Sequence, residues 1–467
     1  MFFVKSWQNK IRLLPLKSII KNTYMKTILV IGAGLSSSSL IRYLLQNSIS
    51  NNWQIRVVDQ DIELAKRKIA GFSNGEALSF NALNPLERRP EIEKADLVIS
   101  MLPARFHVEV AKDCIELKTN LITPSYVSPE MRELDASAKE AGIVIMNEIG
   151  VDPGLDHMSA MRIIDEIKAK KGKIHSFTSF CGGLIAPAYD NNPWNYKFTW
   201  NPRNVVLAGQ GAAACFEEET EYKYIPYTKL FSRLDKISVP GFGDFEGYAN
   251  RDSLSYRSIY KLEGIPTIYR GTLRRPGYCK AWDVFVDLGM TDDNYKMYKS
   301  EDLNPRSFLN AFLPYRTGIT IEEKFKEYLG NKVDLYSKFE WLGLFENTPN
   351  FGIENASPAQ LLESILVKKW TLEPTDKDML VMFHEFMYDL DGKRHTITSH
   401  MVNLGEDGVY TSMSNTVGLP AAICAKMILN GTLKVKGVQL PIQAEIYTPI
   451  LNELEEYGIQ FIENEVL

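Results

Sequence analysis

The first third of the chain alternates short, mostly apolar segments with amphipathic ones. The amphipathic segments include residues 109–117 and 129–140, whose apolar positions recur at helical spacing. Apolar strands joined by helices are typical of a parallel sheet that is covered on both faces, with right-handed connections. The strands predicted in this way are 27–31, 55–58, 96–100, 120–123 and 143–146.

The pattern changes after residues 147–154, where two glycines and a proline interrupt it. Residues 173–180 alternate apolar and polar positions like a half-buried strand, and residues 302–369 are helical and charged. Two strand-like and two helical segments follow, at 379–388, 394–404, 419–429 and 448–457. We therefore predict an α/β protein with a parallel-sheet domain, a mixed α/β domain and a helical insertion. The pattern leaves open which domain the end of the chain packs on.

Residues 1–24 differ from the rest because they carry five basic residues and no acidic one. A secretory signal needs a longer apolar run and a small-residue cleavage site, and an Arg-rich transit peptide fits no better. We therefore predict a dispensable basic tail or an upstream start codon, with the folded chain beginning at Met25.

Composition limits the classes of function. The 467 residues are 45% hydrophobic, which suffices for two or three domains, and 53 basic against 58 acidic residues give a net charge of −5. General nucleic-acid binding is therefore not expected. No apolar run reaches the ~20 residues of a membrane span. The five cysteines contain no CxxC pair and the histidines are irregularly spaced, so no metal site is predicted. We expect a cytoplasmic protein that binds neither nucleic acid nor membrane.

The sharpest local signal is a glycine-rich turn between the first predicted strand and a helix. It consists of Gly32, Ala33, Gly34 and Leu35, with Ser37 where a dinucleotide fingerprint has its third glycine. Gly32 permits the tight turn, and Gly34 lets the backbone approach a pyrophosphate at the helix N-terminus. The turn predicts a Rossmann-like nucleotide-binding domain, the alternative being a plain tight turn.

Asp59 bears on the choice of cofactor. It lies 27 residues after Gly32, at the predicted end of the second strand. A carboxylate at this position accepts hydrogen bonds from the adenosine ribose of NAD and repels the 2′-phosphate of NADP. The sequence therefore predicts NAD rather than NADP, which favours a degradative role. The alternative is a solvated acid at the strand end.

A second group of polar residues follows two other predicted strands, at 123–129 and 147–153. Both segments would lie at the carboxyl edge of the sheet, where open α/β sheets bind ligands. Tyr126 and Asp152 are the polar groups that we expect to face the nicotinamide. The alternative is that Ser128 only caps a helix and that Asp152 only opens a turn.

From Met25 nearly to the C-terminus, the sequence resembles the L-glutamate-forming saccharopine dehydrogenases. The segments that carry the resemblance are 125–129, 147–157 (NEIGVDPGLDH), 181–184, 192–193, 196–200, 250–253, 270–274 and 430–432. The resemblance implies a homodimer with a nucleotide domain, a substrate and dimerisation domain and a helical insertion. The expected divisions are 25–150 plus about 415–467, 151–300 plus about 370–414, and about 301–369.

The activity that the resemblance implies is the reversible oxidation of saccharopine to L-glutamate and 2-aminoadipate 6-semialdehyde. Hydride leaves the carbon beside the secondary amine, and water hydrolyses the resulting imine. The implied substrate contacts are Ser125, Tyr126, Asp152, Arg251, Thr272, Leu273 and Arg274. The implied cofactor contacts are Gly32, Ala33, Gly34, Leu35, Asn81, Ala82, Ser100, Met101, Val151, Pro153 and Asn201.

Asp152 is the candidate for proton transfer or for orienting the hydrolytic water. Tyr126 would donate a hydrogen bond, and Cys181 would form a polarizable wall or simply let strands pack closely. Arg251 and Arg274 could each pair with a substrate carboxylate. Fungal biosynthetic members of the family use NADP, but Asp59 still favours NAD.

Two other functions compete with this reading of the sequence. A carboxynorspermidine or homospermidine synthase uses similar imine chemistry, but its polyamine substrate would need several acidic residues in the pocket. A nucleotide-sensing protein without catalytic activity would keep the glycine turn and lose the segments from 125 to 274 that match the family.

Overall fold

The structure is a computed structural model that describes residues 24–211 and 213–466. Apart from Tyr24, the basic segment 1–24 lies outside these residues. The strands are β1 Lys26–Ile31, β2 Trp53–Val58, β3 Gly75–Leu78, β4 Leu97–Ser100, β5 Asn120–Ile122, β6 Val144–Met146, β7 Lys173–Ile185, β8 Ala214–Glu218, β9 Glu221–Ile225, β10 Asp235–Val239, β11 Gly243–Ala249, β12 Thr267–Arg274, β13 Asp378–Leu390, β14 Lys393–Leu404, β15 Gly437–Gln439 and β16 Ile462–Val466.

The α-helices lie between these strands and cover both sheets. They are α1 Ser38–Asn51, α2 Ile62–Ile69, α3 Pro85–Glu93, α4 His107–Leu117, α5 Pro129–Glu133, α6 Asp135–Ala141, α7 Leu155–Ala169, α8 Pro202–Val206, α9 Tyr256–Ile259, α10 Tyr278–Leu288, α11 Pro305–Phe312, α12 Ile321–Leu329, α13 Tyr336–Trp341, α14 Pro358–Trp370, α15 Ser412–Leu429 and α16 Ala444–Glu455. None of the helices in the described residues is both long and apolar enough to cross a membrane.

The first sheet has seven parallel strands in the order β15-β6-β5-β4-β1-β2-β3. The chain order reverses at β1, which pairs with β2 on one side and with β4 on the other. Such a reversal opens a crevice at the carboxyl ends of the strands. The predicted Rossmann-like α/β class is confirmed.

The second sheet is mixed and has nine strands. Its centre is β7, which runs parallel to β12 and antiparallel to β13. Neighbouring side chains of a strand face opposite sides of the sheet. Accordingly, Phe177 packs in the core shared with the first sheet, whereas Phe180 packs in an aromatic core with Trp282 and Trp370.

The end of the chain contributes to both sheets. Helices α15 and α16 pack on α1 and α7, and β15 extends the first sheet. The last strand differs from the expected return of 415–467 to the first domain, because β16 pairs with β14 of the second sheet. All five residues of β16 are exposed, and the strand is held by backbone hydrogen bonds and by polar contacts of Glu463 with Arg162 and of Glu465 with Tyr388 and His395. The rest of the domain division stays a prediction.

Candidate active site

The glycine-rich turn lies where the strand order of the first sheet reverses. Gly32 has a φ of +106°, and a Cβ there would lie 3.2 Å from the carbonyl oxygen of Met101, just after β4. A side chain at this position would therefore be strained by both the backbone and the contact. Around Gly34 there is open space, and α1 follows after a single 3₁₀ turn. The turn thus leaves its backbone accessible to a phosphate.

Beside the turn is a cavity of about 270 Å³ at the ends of β1 and β2. Its lining brings together the predicted residues Gly32, Asp59 and Ala82. Phe80 and Phe106 supply apolar surface in the same cavity. A cavity with aromatic walls next to a phosphate-binding turn suits the adenosine end of a dinucleotide.

Asp59 lines this cavity and also bonds to the glycine turn. One of its oxygens accepts a hydrogen bond from the Ala33 amide at 2.8 Å, and the other accepts one from the Asp61 amide at 3.1 Å. The side chain therefore fixes the glycine turn to the loop after β2.

A second cluster joins the ends of β4 and β5. The His107 ring lies 3.0 Å from the Ser100 hydroxyl through Nδ1, and 2.9 Å from both the Ser125 and Thr123 hydroxyls through Nε2. Burial lowers the pKa of His107 to about 4. The ring is therefore neutral near pH 7, with one donor nitrogen and one acceptor nitrogen.

Asp152 lies at the centre of a buried charged network. Its Oδ1 accepts hydrogen bonds from the Tyr126 hydroxyl at 2.8 Å and from Arg270 at 2.7 Å. The same Arg270 Nη2 also donates to Asp156 at 2.5 Å. Burial raises the pKa of Asp152, although Arg270 favours the ionised form. One guanidinium thus serves two carboxylates. Tyr126 and Asp152, the two polar groups expected to face the nicotinamide, are hydrogen-bonded to each other in this network.

Glu148 and His157 hold the loop that carries Tyr126. His157 lies 2.7 Å from Glu148 through Nε2 and 2.7 Å from the Tyr260 hydroxyl through Nδ1. The other Glu148 oxygen accepts a hydrogen bond from the Val127 amide at 2.9 Å. Burial lowers the pKa of His157, but the charges of Asp156 and Glu148 outweigh this effect, and the pKa is raised. The loop that carries Tyr126 is therefore bound to a buried ion pair.

Arg274 is a buried cation with an aromatic environment. Its side chain lies over the rings of Tyr196, Tyr248 and Tyr278, with centroid distances of 5.1, 5.7 and 5.4 Å. It is 5% exposed, and its Nε has no hydrogen-bond partner among the residues that the structure describes. Nη1 donates to the Leu273 carbonyl oxygen, and no carboxylate of the described residues pairs with the guanidinium. A buried, unpaired guanidinium is suited to bind an anion.

The remaining predicted residues lie in different settings. Cys181 pairs in register with Thr272, and burial raises the pKa of its thiol, which keeps it neutral. Arg251 is exposed with a φ of +47°, and its guanidinium lies 5.4 Å from the centre of the Tyr126 ring. Asn81 and Asn201 are exposed, and their side chains accept hydrogen bonds from amides two residues further on. The site assignments stay predictions, with Asn81 and Asn201 outside the buried network.

The sequence analysis did not select Arg270, Asp156, Glu148 or His157 as site residues. All four lie in segments that resemble the family, 147–157 and 270–274. The pair of Arg270 and Asp156 joins β12 to α7 across more than 100 residues of chain. A sequence pattern shows neither this distance nor this burial.

Two neutral, buried histidines predict a loss of stability in acid. Burial lowers the pKa of His107 and of His384, each to about 4 from an ordinary value of 6.5. The unfolded chain binds these protons below pH 6.5, whereas the folded protein does not until about pH 4. Above pH 6.5 each ring therefore makes its full contribution to the free energy of unfolding. That contribution decreases by about 3 kcal/mol between pH 6.5 and 4.

Urea titrations at several pH values would measure this effect. His384→Gln is the comparison, because its amide can keep the hydrogen bond that His384 Nε2 makes with Ser159 at 2.7 Å. As the pH decreases, the free energy of unfolding of this variant should fall less steeply than that of the unmodified protein. The two slopes should differ by about 1.4 kcal/mol per pH unit. Equal slopes in the variant and the unmodified protein would contradict the assignment.

Comparison with known proteins identifies relatives over almost the whole chain. Two family models match: saccharopine dehydrogenase NADP binding domain over residues 28–146, and saccharopine dehydrogenase C-terminal domain over residues 150–459. Saccharopine dehydrogenase [NADP(+), L-glutamate-forming] of Pyricularia oryzae is 33% identical over 455 residues, which are 93% of this chain and 98% of that protein.

Two further comparisons agree. The apo structure of the L-Glu-forming saccharopine dehydrogenase from Saccharomyces cerevisiae matches with a TM-score of 0.85 at 33% identity, and the match covers 95% of this chain and all of that one. The mitochondrial alpha-aminoadipic semialdehyde synthase of Rattus norvegicus is 36% identical over 458 residues. That match covers 93% of this chain, which spans about half of the synthase.

The cofactor preference predicted from Asp59 is wrong. The model that matches residues 28–146 is that of an NADP binding domain, and the fungal relatives carry NADP(+) in their names. In the structure both oxygens of Asp59 accept backbone hydrogen bonds, so its carboxylate has a role in the turn whichever cofactor is bound. The inference of a degradative role rested on NAD and is withdrawn with it.

Proposed function

Because this chain belongs to the L-glutamate-forming saccharopine dehydrogenase family, we propose that it interconverts saccharopine with L-glutamate and 2-aminoadipate 6-semialdehyde, using NADP. It is an oxidoreductase acting on a CH–NH group, with a role in lysine metabolism. The observation that carries the substrate assignment is Arg274, a buried guanidinium without a carboxylate partner among the described residues. Saccharopine has three carboxylates, and such a cation can bind one of them.

The described residues fit the pyrophosphate and the adenosine of the cofactor. The open backbone at Gly34 and the adjoining cavity of about 270 Å³ offer a phosphate site and an adenosine site. NADP supplies the hydride acceptor for the reaction. Ser100 and Met101 lie at the end of β4, beside the turn and next to the Ser125 loop, and we propose that they border the nicotinamide.

The proposed acid–base group is Asp152. Arg270 and the Tyr126 hydroxyl both donate to its Oδ1, so this oxygen is fixed and Oδ2 is left to face the substrate. Oδ2 would accept the proton of the secondary amine or hold the hydrolytic water, a contribution of about 10²–10⁴-fold. Cys181, kept as a thiol by its raised pKa, would be an uncharged wall.

The charge balance favours saccharopine over a polyamine. The buried acids here are Asp152, Asp156 and Glu148, and each is paired with Arg270 or His157. Arg274 and Arg251 add positive charge nearby that no carboxylate of the described residues pairs with. A polyamine substrate would meet repulsion here, which argues against the carboxynorspermidine or homospermidine synthase alternative.

The test is turnover by the purified protein with saccharopine and NADP, followed through NADPH absorbance, with the products identified by chromatography. We expect L-glutamate and 2-aminoadipate 6-semialdehyde, and the reverse reaction with NADPH. Lysine and 2-oxoglutarate as products would overturn the proposal, and so would the absence of turnover.

We also propose a cytoplasmic homodimer. Support for the location is that all five cysteines are free, as expected in a reducing compartment. The dimer is supported by the resemblance to the family, which implies that the second domain is also the dimerisation domain. Light scattering after size exclusion should give twice the mass of one chain, and a monomer would contradict it.

A further inference from the structure

His107 connects the two halves of the proposed site. It is the first residue of α4, and its ring lies between the carboxyl ends of β4 and β5. Nδ1 faces the hydroxyl of Ser100, on the cofactor side. Nε2 faces the hydroxyls of Ser125 and Thr123, on the substrate side. The backbone pairing of β4 with β5 ends at Ile99 and Ile122. The His107 side chain therefore links the two strands beyond the point where their backbones pair.

The chemistry of the ring suits a link between hydroxyls. The ring is 3% exposed and, with a pKa of about 4, neutral. A neutral imidazole donates through one nitrogen and accepts through the other, while a serine hydroxyl can do both. The hydroxyl of Ser125 therefore keeps hydrogen-bonding capacity for a ligand after His107 has fixed its direction. A charged imidazolium, a donor at both nitrogens, would force Ser125 to accept.

We propose that His107 is a positioning residue that holds the Ser125 hydroxyl against saccharopine by fastening it to Ser100. The inference rests on the proposed function, in which Ser125 contacts the substrate. His107 itself does not need to touch saccharopine. Its effect should appear in the KM for saccharopine more than in the KM for NADP.

Two substitutions of His107 test the contacts of Nε2 and of Nδ1 separately. The amide of His107→Gln can reach the position of Nε2, and the shorter amide of His107→Asn can reach that of Nδ1. His107→Asn should raise the KM for saccharopine by about 10-fold, the typical loss when a buried hydrogen bond is broken. His107→Gln should raise this KM less than His107→Asn does, because it keeps the contact with Ser125 and loses only the link to Ser100. Equal KM values for saccharopine in His107→Asn and the unmodified protein would overturn the inference.

A double-mutant cycle distinguishes positioning from a merely structural role. Ser125→Ala should raise the KM for saccharopine, and adding His107→Asn should then raise it little further, because the group that His107 positions is gone. Fully additive effects would overturn the inference. Ser100→Ala is a small change that removes the other end of the link, and it should also raise the KM for saccharopine. It serves in place of His107→Asn if that variant fails to fold, and an unchanged KM would again overturn the inference.

The same assay separates this inference from the proposed function. An unmodified protein that does not turn over saccharopine overturns both. An active unmodified protein whose His107→Asn and Ser100→Ala variants keep its KM for saccharopine overturns the inference alone.

Discussion

Arg274→Met is expected to raise the KM for saccharopine by roughly 30-fold to several thousand-fold, while the KM for NADP changes little. The guanidinium is buried among three tyrosine rings and has no carboxylate partner in the described part of the chain. Removing one partner of a charge pair in a desolvated site costs about 2–5 kcal/mol. Steady-state kinetics with each substrate varied in turn would measure the effect.

Arg275→Met is the matched control for this prediction. Arg275 is the next residue, but it donates to the Phe242 carbonyl oxygen and lies over Phe245. Its loss should leave the KM for saccharopine nearly unchanged. Arg251→Met should raise that KM less than Arg274→Met, because Arg251 is exposed and its charge is screened. An Arg274→Met variant that binds saccharopine like the unmodified protein would show that no carboxylate binds there.

Arg270→Met is expected to lower the free energy of unfolding by about 3–5 kcal/mol and to reduce kcat. It leaves Asp152 and Asp156 buried together without their shared cation. Breaking a buried ion pair on one side leaves an uncompensated charge, which is the costly case. The carboxyl of Asp152 would then tend to remain protonated and fail as a base. Urea unfolding and the pH dependence of kcat would report the two effects.

Two further variants make the Arg270 result specific. Arg233→Met removes an exposed ion pair with Glu218 and should cost at most about 1 kcal/mol. Adding Asp152→Asn to Arg270→Met should restore part of the lost stability, because it removes the carboxylate that is left without a cation, whereas Asp156 keeps His157 at 3.7 Å. A double variant that is less stable than Arg270→Met would contradict the electrostatic explanation.

The pattern of apolar positions predicted the first sheet best where its strands are buried. Strands β1 and β4 are central and contain continuous apolar runs, and β2 ends in a short one. Strand β3 was missed because all four of its residues are only partly buried. Strand β16 was missed because its side chains are all exposed. Edge strands depend on backbone pairing, which leaves no hydrophobic signature.

For the candidate site, the sequence predicted the positions of residues better than the directions of their side chains. Tyr126 and Asp152 were expected together at the carboxyl edge of the sheet, and their hydrogen bond is 2.8 Å long. Asp59 was expected at the end of β2 and lies directly after it, but its carboxylate faces the amides of Ala33 and Asp61. Arg270 could not be selected, because its partners depend on how β12 packs against α7. Side-chain direction and packing between distant segments are decided by the tertiary structure.

The position of β15 and α15 has a consequence for synthesis on the ribosome. The first six strands of the parallel sheet end at Met146, yet the seventh is Gly437–Gln439, roughly 290 residues later. Helix α15 packs against α1, where the Ser39 amide donates to the Ser414 hydroxyl at 2.8 Å. At about 5–20 residues per second, these partners emerge roughly 15–60 s after β6. The nascent nucleotide domain must therefore remain incomplete, with an unpaired β6 edge and an uncovered α1, until α15 and β15 have been synthesised.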